Sequence, residues 1–546
     1  MATIEILRTN SDPPTPKRKW AKPSRAPRGL EIIGIVIAAM FAAPLVYLIA
    51  RNFAAPNELL SAVTSSQVGA PLVRTLLLAS SVMVACALLG TAMAWLTTRT
   101  DIYGRRALAV VAALPLVLPS FVAALAFVGT FSSGGLLEET FGIDPGVRVQ
   151  GFWAAFTVLT LISYPYVYLP VAARLIGLPR SLEESASSLG RHPLAVFRTV
   201  VFPQITGAIL AGSMLVFLYV VSEFGAVSLL QYDTLTRRIY ASRLLDPNAA
   251  MAMSLVLAVV AITVVVVERI ATKRRHVIES PGTQGAPKRV LLGHWRIAST
   301  CFGWGLVGLA LFVPVAVVTH WAWLGLTGTR NVLGRGMDIG RLVQPTINTA
   351  LLGVGAAVVA IIVVLPVAYL TARYRSRVGG FANALVVGGF ALPGLVIALA
   401  LVGASLRIPF LDHLYQTFPL LIFAYVVHFG AQAMRSAQVS VEAVPRHLRD
   451  AARSLGAGRV RRFRTVELPL MAPALAAGCG LVLLSVMKEL PATLLLAPIG
   501  VDTLAIRIWS ASSEGFYAQA GLASVMLVAL AAVLTWLLTI RHMERL

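Results

Sequence analysis

Twelve apolar runs, each about 20 residues long, dominate this 546-residue chain. A helix of that length spans a hydrocarbon core of roughly 30 Å. In lipid the backbone must satisfy its own hydrogen bonds, so runs of this kind fold as helices. They fall at roughly 30–50, 76–97, 107–130, 152–173, 205–230 and 249–268, then at 298–322, 346–371, 381–404, 416–436, 471–497 and 519–540. Only 13% of residues are charged, against about 25% in an ordinary soluble domain. The reading is an all-α polytopic membrane protein.

The net charge of +22 would suggest a nucleic-acid partner in a soluble protein. Here the basic residues sit in alternate short loops, which points to membrane topology and lipid, with no nucleic acid. One side collects the tail at 1–29, Arg99, Arg105 and Arg106, the stretch from Arg180 to Arg198, and the linker at 269–297. Arg373, Arg375 and Arg377, the run from Arg446 to Arg464, and Arg541 and Arg545 join it. That side is read as cytoplasmic, with both termini inside. Arg237, Arg238, Arg330 and Arg335 on the other side make this a bias and not a clean split. The run at 30–50 is too long for a signal-peptide core and reads as an uncleaved first helix behind a disordered basic tail. Cys86, Cys301 and Cys479 lie singly in apolar runs, without disulfide or zinc spacing.

The two halves repeat each other. Leu118-Pro119-Ser120 through Gly129 matches Leu392-Pro393-Gly394 through Gly403 at an offset of 274, as do Trp95 through Arg99 and Tyr369 through Arg373. Gly190 and Gly456, Pro203 and Pro469, and Glu223 and Glu489 correspond at an offset of 266. Asp233-Thr234-Leu235 matches Asp502-Thr503-Leu504. The organisation is therefore a tail at 1–29, a six-helix repeat at 30–268, a linker at 269–297 and a second repeat at 298–546. Both repeats begin on the same side, so they are parallel and related by an axis along the membrane normal.

The loops after the fourth and tenth spans carry a shared motif. The first reads Glu184-Ser185-Ala186-Ser187-Ser188-Leu189-Gly190, nine residues, then Val200-Val201-Phe202-Pro203. The second reads Asp450-Ala451-Ala452-Arg453-Ser454-Leu455-Gly456, nine residues, then Val466-Glu467-Leu468-Pro469. Each predicts a short amphipathic helix, a glycine break, a second helix, and a proline where the next span begins. A short exposed helix pair suits a groove on another protein. The pattern resembles the E-A-A-x3-G-x9-I-x-L-P loop of bacterial ABC importer permeases, departing from it at Ser185, Phe202 and Asp450. Ser222 through Ala226, Lys488 through Leu496, and Val501 through Leu504 with Arg507-Ile508-Trp509 resemble fused ferric-iron importer permeases.

That resemblance implies a permease subunit in a bacterial inner membrane that moves cargo by alternating access and is not itself an enzyme. It implies two copies of a cytosolic ABC ATPase, which bind ATP and Mg, one docked at each loop. An extracytoplasmic binding protein would deliver the cargo. The chain has no G-x4-G-K-[ST] phosphate loop, and none of its six lysines follows a glycine. Other cargoes, such as phosphonate, polyamine, thiamine or sulfate, stay open, as does an ion-coupled secondary transporter.

Glu223 and Glu489 lie inside apolar runs, where a carboxylate costs several kcal/mol unless it is paired or faces water. They are candidates for a translocation path, or else structural pins. Their oxygens are hard ligands suited to ferric iron, but a transit path must release its cargo, so a tight metal site is not expected. Lys488 need not pair with its neighbour Glu489. Tyr164, Tyr166 and Tyr168, and the lone histidines His320 and His428, read as packing or hydrogen-bonded residues.

Overall fold

The computed structural model describes residues 26–133, 135–144, 146, 148–273, 290–327 and 339–535. The basic tail up to 25, much of the linker, Arg330, Arg335, Arg541 and Arg545 lie outside these residues. Among the described residues, 11 helices are long and apolar enough to cross a membrane, or 12 when one sharply bent pair counts as a single span. Among these residues no strand forms; one isolated bridge joins Thr100 to Val290. The chain is an all-α polytopic membrane protein.

The first, second and sixth spans are the helices Arg28–Phe53, Ser66–Arg99 and Pro247–Lys273. The seventh runs from Trp295–Val307 through a wide π-turn at Gly308–Phe312 into Val313–Thr327. The eighth, tenth and twelfth are Gly340–Ala372, Phe418–Ala443 and Tyr517–Thr535. The fourth is Gly151–Ser163 followed directly by Pro165–Ile176.

The third, fifth, ninth and eleventh spans correct the expectation of continuous helices. The third breaks between the short turns at 105–117 and the helix Ser120–Phe131. The ninth breaks between Arg377–Gly389 and Gly394–Arg407, which meet at 104°. The cause is Pro119 and Pro393, whose rings disfavour helical backbone in the preceding residue. Leu118 accordingly sits at φ −72, ψ 131. The fifth span, Phe202–Ser222, stops at Glu223 and restarts as Gly225–Leu229. The eleventh, Leu468–Met487, stops at Lys488 and restarts as Pro491–Leu496. All four breaks are at repeat-equivalent places, and they bring four chain interruptions to the middle of the molecule.

The first span of each half packs on the other half. Arg28–Phe53 lies against Gly340–Ala372, Arg377–Gly389 and Gly394–Arg407. The seventh span lies against Ser120–Phe131 and Gly151–Ser163. The contact is keyed by glycine. A Cβ on Gly129 would fall 1.9 Å from the Trp321 ring, and one on Gly403 would fall 3.0 Å from the Tyr47 hydroxyl. Tyr47 and Trp321 are themselves 274 positions apart, as are Gly129 and Gly403. At Gly129 even an alanine would push against the Trp321 ring of the swapped span.

Candidate functional site

Two sites emerge, one on the loops and one at the central breaks. On the loops, the helices Arg180–Ser188 and Arg446–Ser454 end alike, at Gly190 (φ +76) and Gly456 (φ +80). Those angles lie in the left-handed region that side chains resist. Nothing comes within 4 Å of a Cβ placed there, so the need for glycine is one of backbone geometry. Glu184, Ser185, Asp450 and Ala451 are exposed, Ala186 is buried and Ala452 is half-buried. Leu189 and Leu455, just before the glycines, are 79% and 87% exposed. The same apolar side chain thus stands bare at the same point of both loops.

The second helix of each loop is not separate, contrary to expectation. Pro193–Val196 continues through a π-turn at Phe197–Val201 into the fifth span, and Arg459–Arg462 does so through Phe463–Glu467 into the eleventh. Pro203 and Pro469 lie at the second residue of those spans. A proline cannot donate to the preceding turn, and the backbone accommodates it by widening that turn instead of breaking.

The two loops are anchored differently. Arg99 Nη1 donates to Glu183 Oε1 at 2.7 Å and Arg99 Nη2 to the Leu175 carbonyl, with Arg99 2% exposed. At the second loop, Arg449 takes the place of Glu183, and the buried carboxylate is Glu467, bonded to Tyr369 Oη at 2.7 Å and Arg462 Nε at 3.0 Å. Between 180 and 198 three arginines face two glutamates, whereas between 446 and 464 seven arginines face one aspartate.

At the centre, a cavity of about 180 Å3 lies between the halves. Both glutamates reach it. Glu223 Oε1 accepts hydrogen bonds from Ser120 Oγ (2.8 Å) and the Ala226 backbone N–H (2.9 Å). Glu489 Oε1 accepts from the Ala492 N–H at 3.1 Å. The carboxylates thus cap the backbone that each break exposes, which is the pinning role, and they also line a cavity. The capping bonds belong to the pinning role; lining a cavity is the position a path residue would occupy.

The halves furnish the cavity with different chemistry at equivalent positions. Ser120 is matched by Gly394, Ile162 by His428, Tyr166 by Gln432, and Tyr219 by Ser485. The Tyr166 and Tyr219 rings are 5.7 Å apart, and Ser485 donates to Gln432 at 3.0 Å. His428 is hydrogen-bonded, as expected, and it also reaches the site. It lines the cavity, with Nδ1 3.0 Å from the Leu392 carbonyl and Nε2 3.9 Å from Glu489. Tyr166 packs on Tyr219 and also lines the cavity, while Tyr164 and Tyr168 bond to backbone carbonyls of the third span. Lys488 turns away from Glu489 and donates to the Leu116 carbonyl of the other half at 2.8 Å. No cluster of three or more metal-ligating side chains of the His, Cys, Asp and Glu type occurs among the described residues.

Comparison with known proteins places this architecture. Residues 87–274 and 364–542 each match the family described as binding-protein-dependent transport system inner membrane component. The chain is 31% identical to the Fe(3+)-transport system permease protein FbpB 2 of Haemophilus influenzae over 525 residues, covering 94% of this chain and 99% of that protein. It is 34% identical to the molybdenum transport system permease protein ModB of Mycobacterium tuberculosis over 243 residues, 43% of this chain and 89% of that one. It is 36% identical over 166 residues to the sulfate transport system permease protein CysT of Salmonella typhimurium, 30% of this chain and 60% of that one. A relative of half the length matching half of this chain is what an internal duplication produces. The chain therefore belongs to the binding-protein-dependent transport system inner membrane component family, with two copies of its permease unit in one polypeptide.

Proposed function

We propose that this chain is the permease of an ATP-driven importer that passes ferric iron into the cytoplasm of a bacterial cell. The observation that carries the cargo is similarity along almost the whole chain to an Fe(3+)-transport permease. Two carboxylates on one central cavity support it, because hard oxygen donors suit a hard cation. The same carboxylates disfavour sulfate and phosphonate, which relatives of this family carry.

The energy comes from outside the chain. Two copies of a cytosolic ATPase bind ATP and Mg and dock on the loops at Gly190 and Gly456, where Leu189 and Leu455 stand exposed. The basic loop face is cytoplasmic, with both termini on that side, and a binding protein delivers cargo at the opposite face of the inner membrane. Rocking of one half against the other then alternates access to the central cavity. Glu223 and Glu489 line the path, and no cofactor resides in this chain.

Uptake of labelled ferric iron is the test, in cells with and without the chain and with ATP present or depleted. Uptake that needs both supports the reading. ATP-dependent transport with no effect on iron would keep the permease and replace the cargo. Transport that persists without ATP and follows an ion gradient would replace it with a secondary transporter.

A further inference from the structure

Phe224 is part of the lining of the central cavity. Beyond it lies a second cavity of about 460 Å3, formed by Leu125 and Val128 of the third span, the helices Gly225–Leu229 and Leu235–Ser242, and Leu504–Ser513 of the other half. One residue lines both cavities, Phe224. It is 1% exposed and sits in the break just after Glu223.

Its ring is clamped by both halves. The Phe224 centroid is 4.6 Å from that of Tyr240 and 5.3 Å from that of Trp509. The offset of 269 that aligns Asp233-Thr234-Leu235 with Asp502-Thr503-Leu504 also aligns Tyr240 with Trp509. The surroundings repeat as well. Arg238 pairs with Asp233 at 3.1 Å and Arg507 with Asp502 at 3.8 Å. Thr75 Oγ1 accepts the Leu235 N–H, and Thr349 Oγ1 accepts the Leu504 N–H. The Arg243 guanidinium lies 3.6 Å over the Tyr240 ring and holds it in place. Each half thus presents one aromatic ring, rigidly mounted, to a phenylalanine on a hinge.

We propose that Phe224 is the gate between the outer cavity and the central cavity, shut while Tyr240 and Trp509 hold it and open when the halves part there. A dry aromatic constriction bars hydrated ions by excluding their water. Phe224 has the freedom to move because it belongs to no long helix. Glu223 is extended (φ −69, ψ 130) and Phe224 itself is non-helical (φ −121, ψ −46). Its repeat partner Leu490, also 1% exposed, lines the central cavity and approaches Gly225 from the other half. Motion that separates the halves withdraws Trp509 from Phe224 and unmakes the clamp. The proposal rests on the permease reading above, since a gate presupposes a path.

The test uses the full chain with Ser485→Cys as a reporter in the central cavity and the three native cysteines replaced. A charged, membrane-impermeant methanethiosulfonate reagent is added at the face opposite the loops. With Phe224 present, the reporter reacts slowly. Phe224→Ala and Trp509→Ala each speed labelling by about tenfold or more, because thiol reactivity follows access. Phe224→Trp keeps the protection. Rapid labelling of the Phe224 protein, or unchanged protection in Phe224→Ala, overturns the gate. Unchanged protection in Trp509→Ala overturns the clamp. Labelling needs neither iron nor ATP, so failure of the iron reading leaves this result standing, and the reverse also holds.

Discussion

Glu223 serves two ends with one side chain, and substitution can separate them. Its Oε1 accepts from Ser120 and the Ala226 N–H, so it caps the break, and the residue also lines the cavity. Glu223→Gln keeps an acceptor oxygen and removes the charge. Iron uptake should fall about tenfold or more, equivalent to 1.4 kcal/mol in barrier, with little change in melting temperature. Glu223→Ala should lose uptake and also destabilise the protein, because each buried donor left unpaired costs about 1–3 kcal/mol. Uptake assays beside thermal melts of the purified variants check both. Equal melting of the two variants would show that the capping bonds contribute nothing. The sequence made Glu223 and Glu489 legible, since a carboxylate in an apolar run stands out. It hid Phe224, His428 and Tyr166, because an apolar or aromatic residue in such a run looks like packing. The one available signal was the repeat. Aligning Ile162 with His428 and Tyr166 with Gln432 exposes positions where the halves differ in polarity, which is unusual for a buried seam.

At the scale of elements, the loops turn on two glycines. A side chain in the left-handed region costs about 1–2 kcal/mol, and more when β-branched. Gly190→Val and Gly456→Val should therefore leave the membrane spans intact and distort the loop. In a reconstituted complex with the proposed ATPase, the expected outcome is hydrolysis that no longer drives uptake, measured as iron moved per ATP consumed. An unchanged ratio in the double variant would remove these loops from coupling. The loops were readable from sequence because their motif is local, spanning 20 residues from Glu184 to Pro203. The anchors beneath them were not, since Arg99 and Glu183 meet across 84 positions. The four broken spans were half-legible. Pro119, Pro393 and Pro491 announce interruptions, but Glu223 breaks its helix with no proline, and mean hydropathy passes over all of them.

For the whole molecule, the crossed first spans decide how the halves hold together. Arg28–Phe53 grips the second half and the seventh span grips the first, each with an aromatic side chain over a glycine. Association therefore does not depend on the peptide that joins them. Two fragments divided within 274–289 and expressed together should co-purify and restore measurable iron uptake in cells lacking the chain. Fragments that fail to associate would show that the crossed contacts need the covalent joint. The sequence repeat revealed two like units but not this exchange, because a hydropathy profile records which segments enter lipid and nothing about which neighbours they choose.

The exchange also has a consequence in time. The first span leaves the ribosome long before its partners in the second half exist, since about 290 residues separate Phe53 from Gly340. At synthesis rates of roughly 5–20 residues per second, that is a wait of some tens of seconds. During it, the side chains of Phe41 and Tyr47 lack the glycines they will meet, Gly389, Gly430 and Gly403. A nascent chain arrested before the eighth span would show these two side chains to the bilayer, and biogenesis of this protein is complete only when the last half has reached back to cover the first helix.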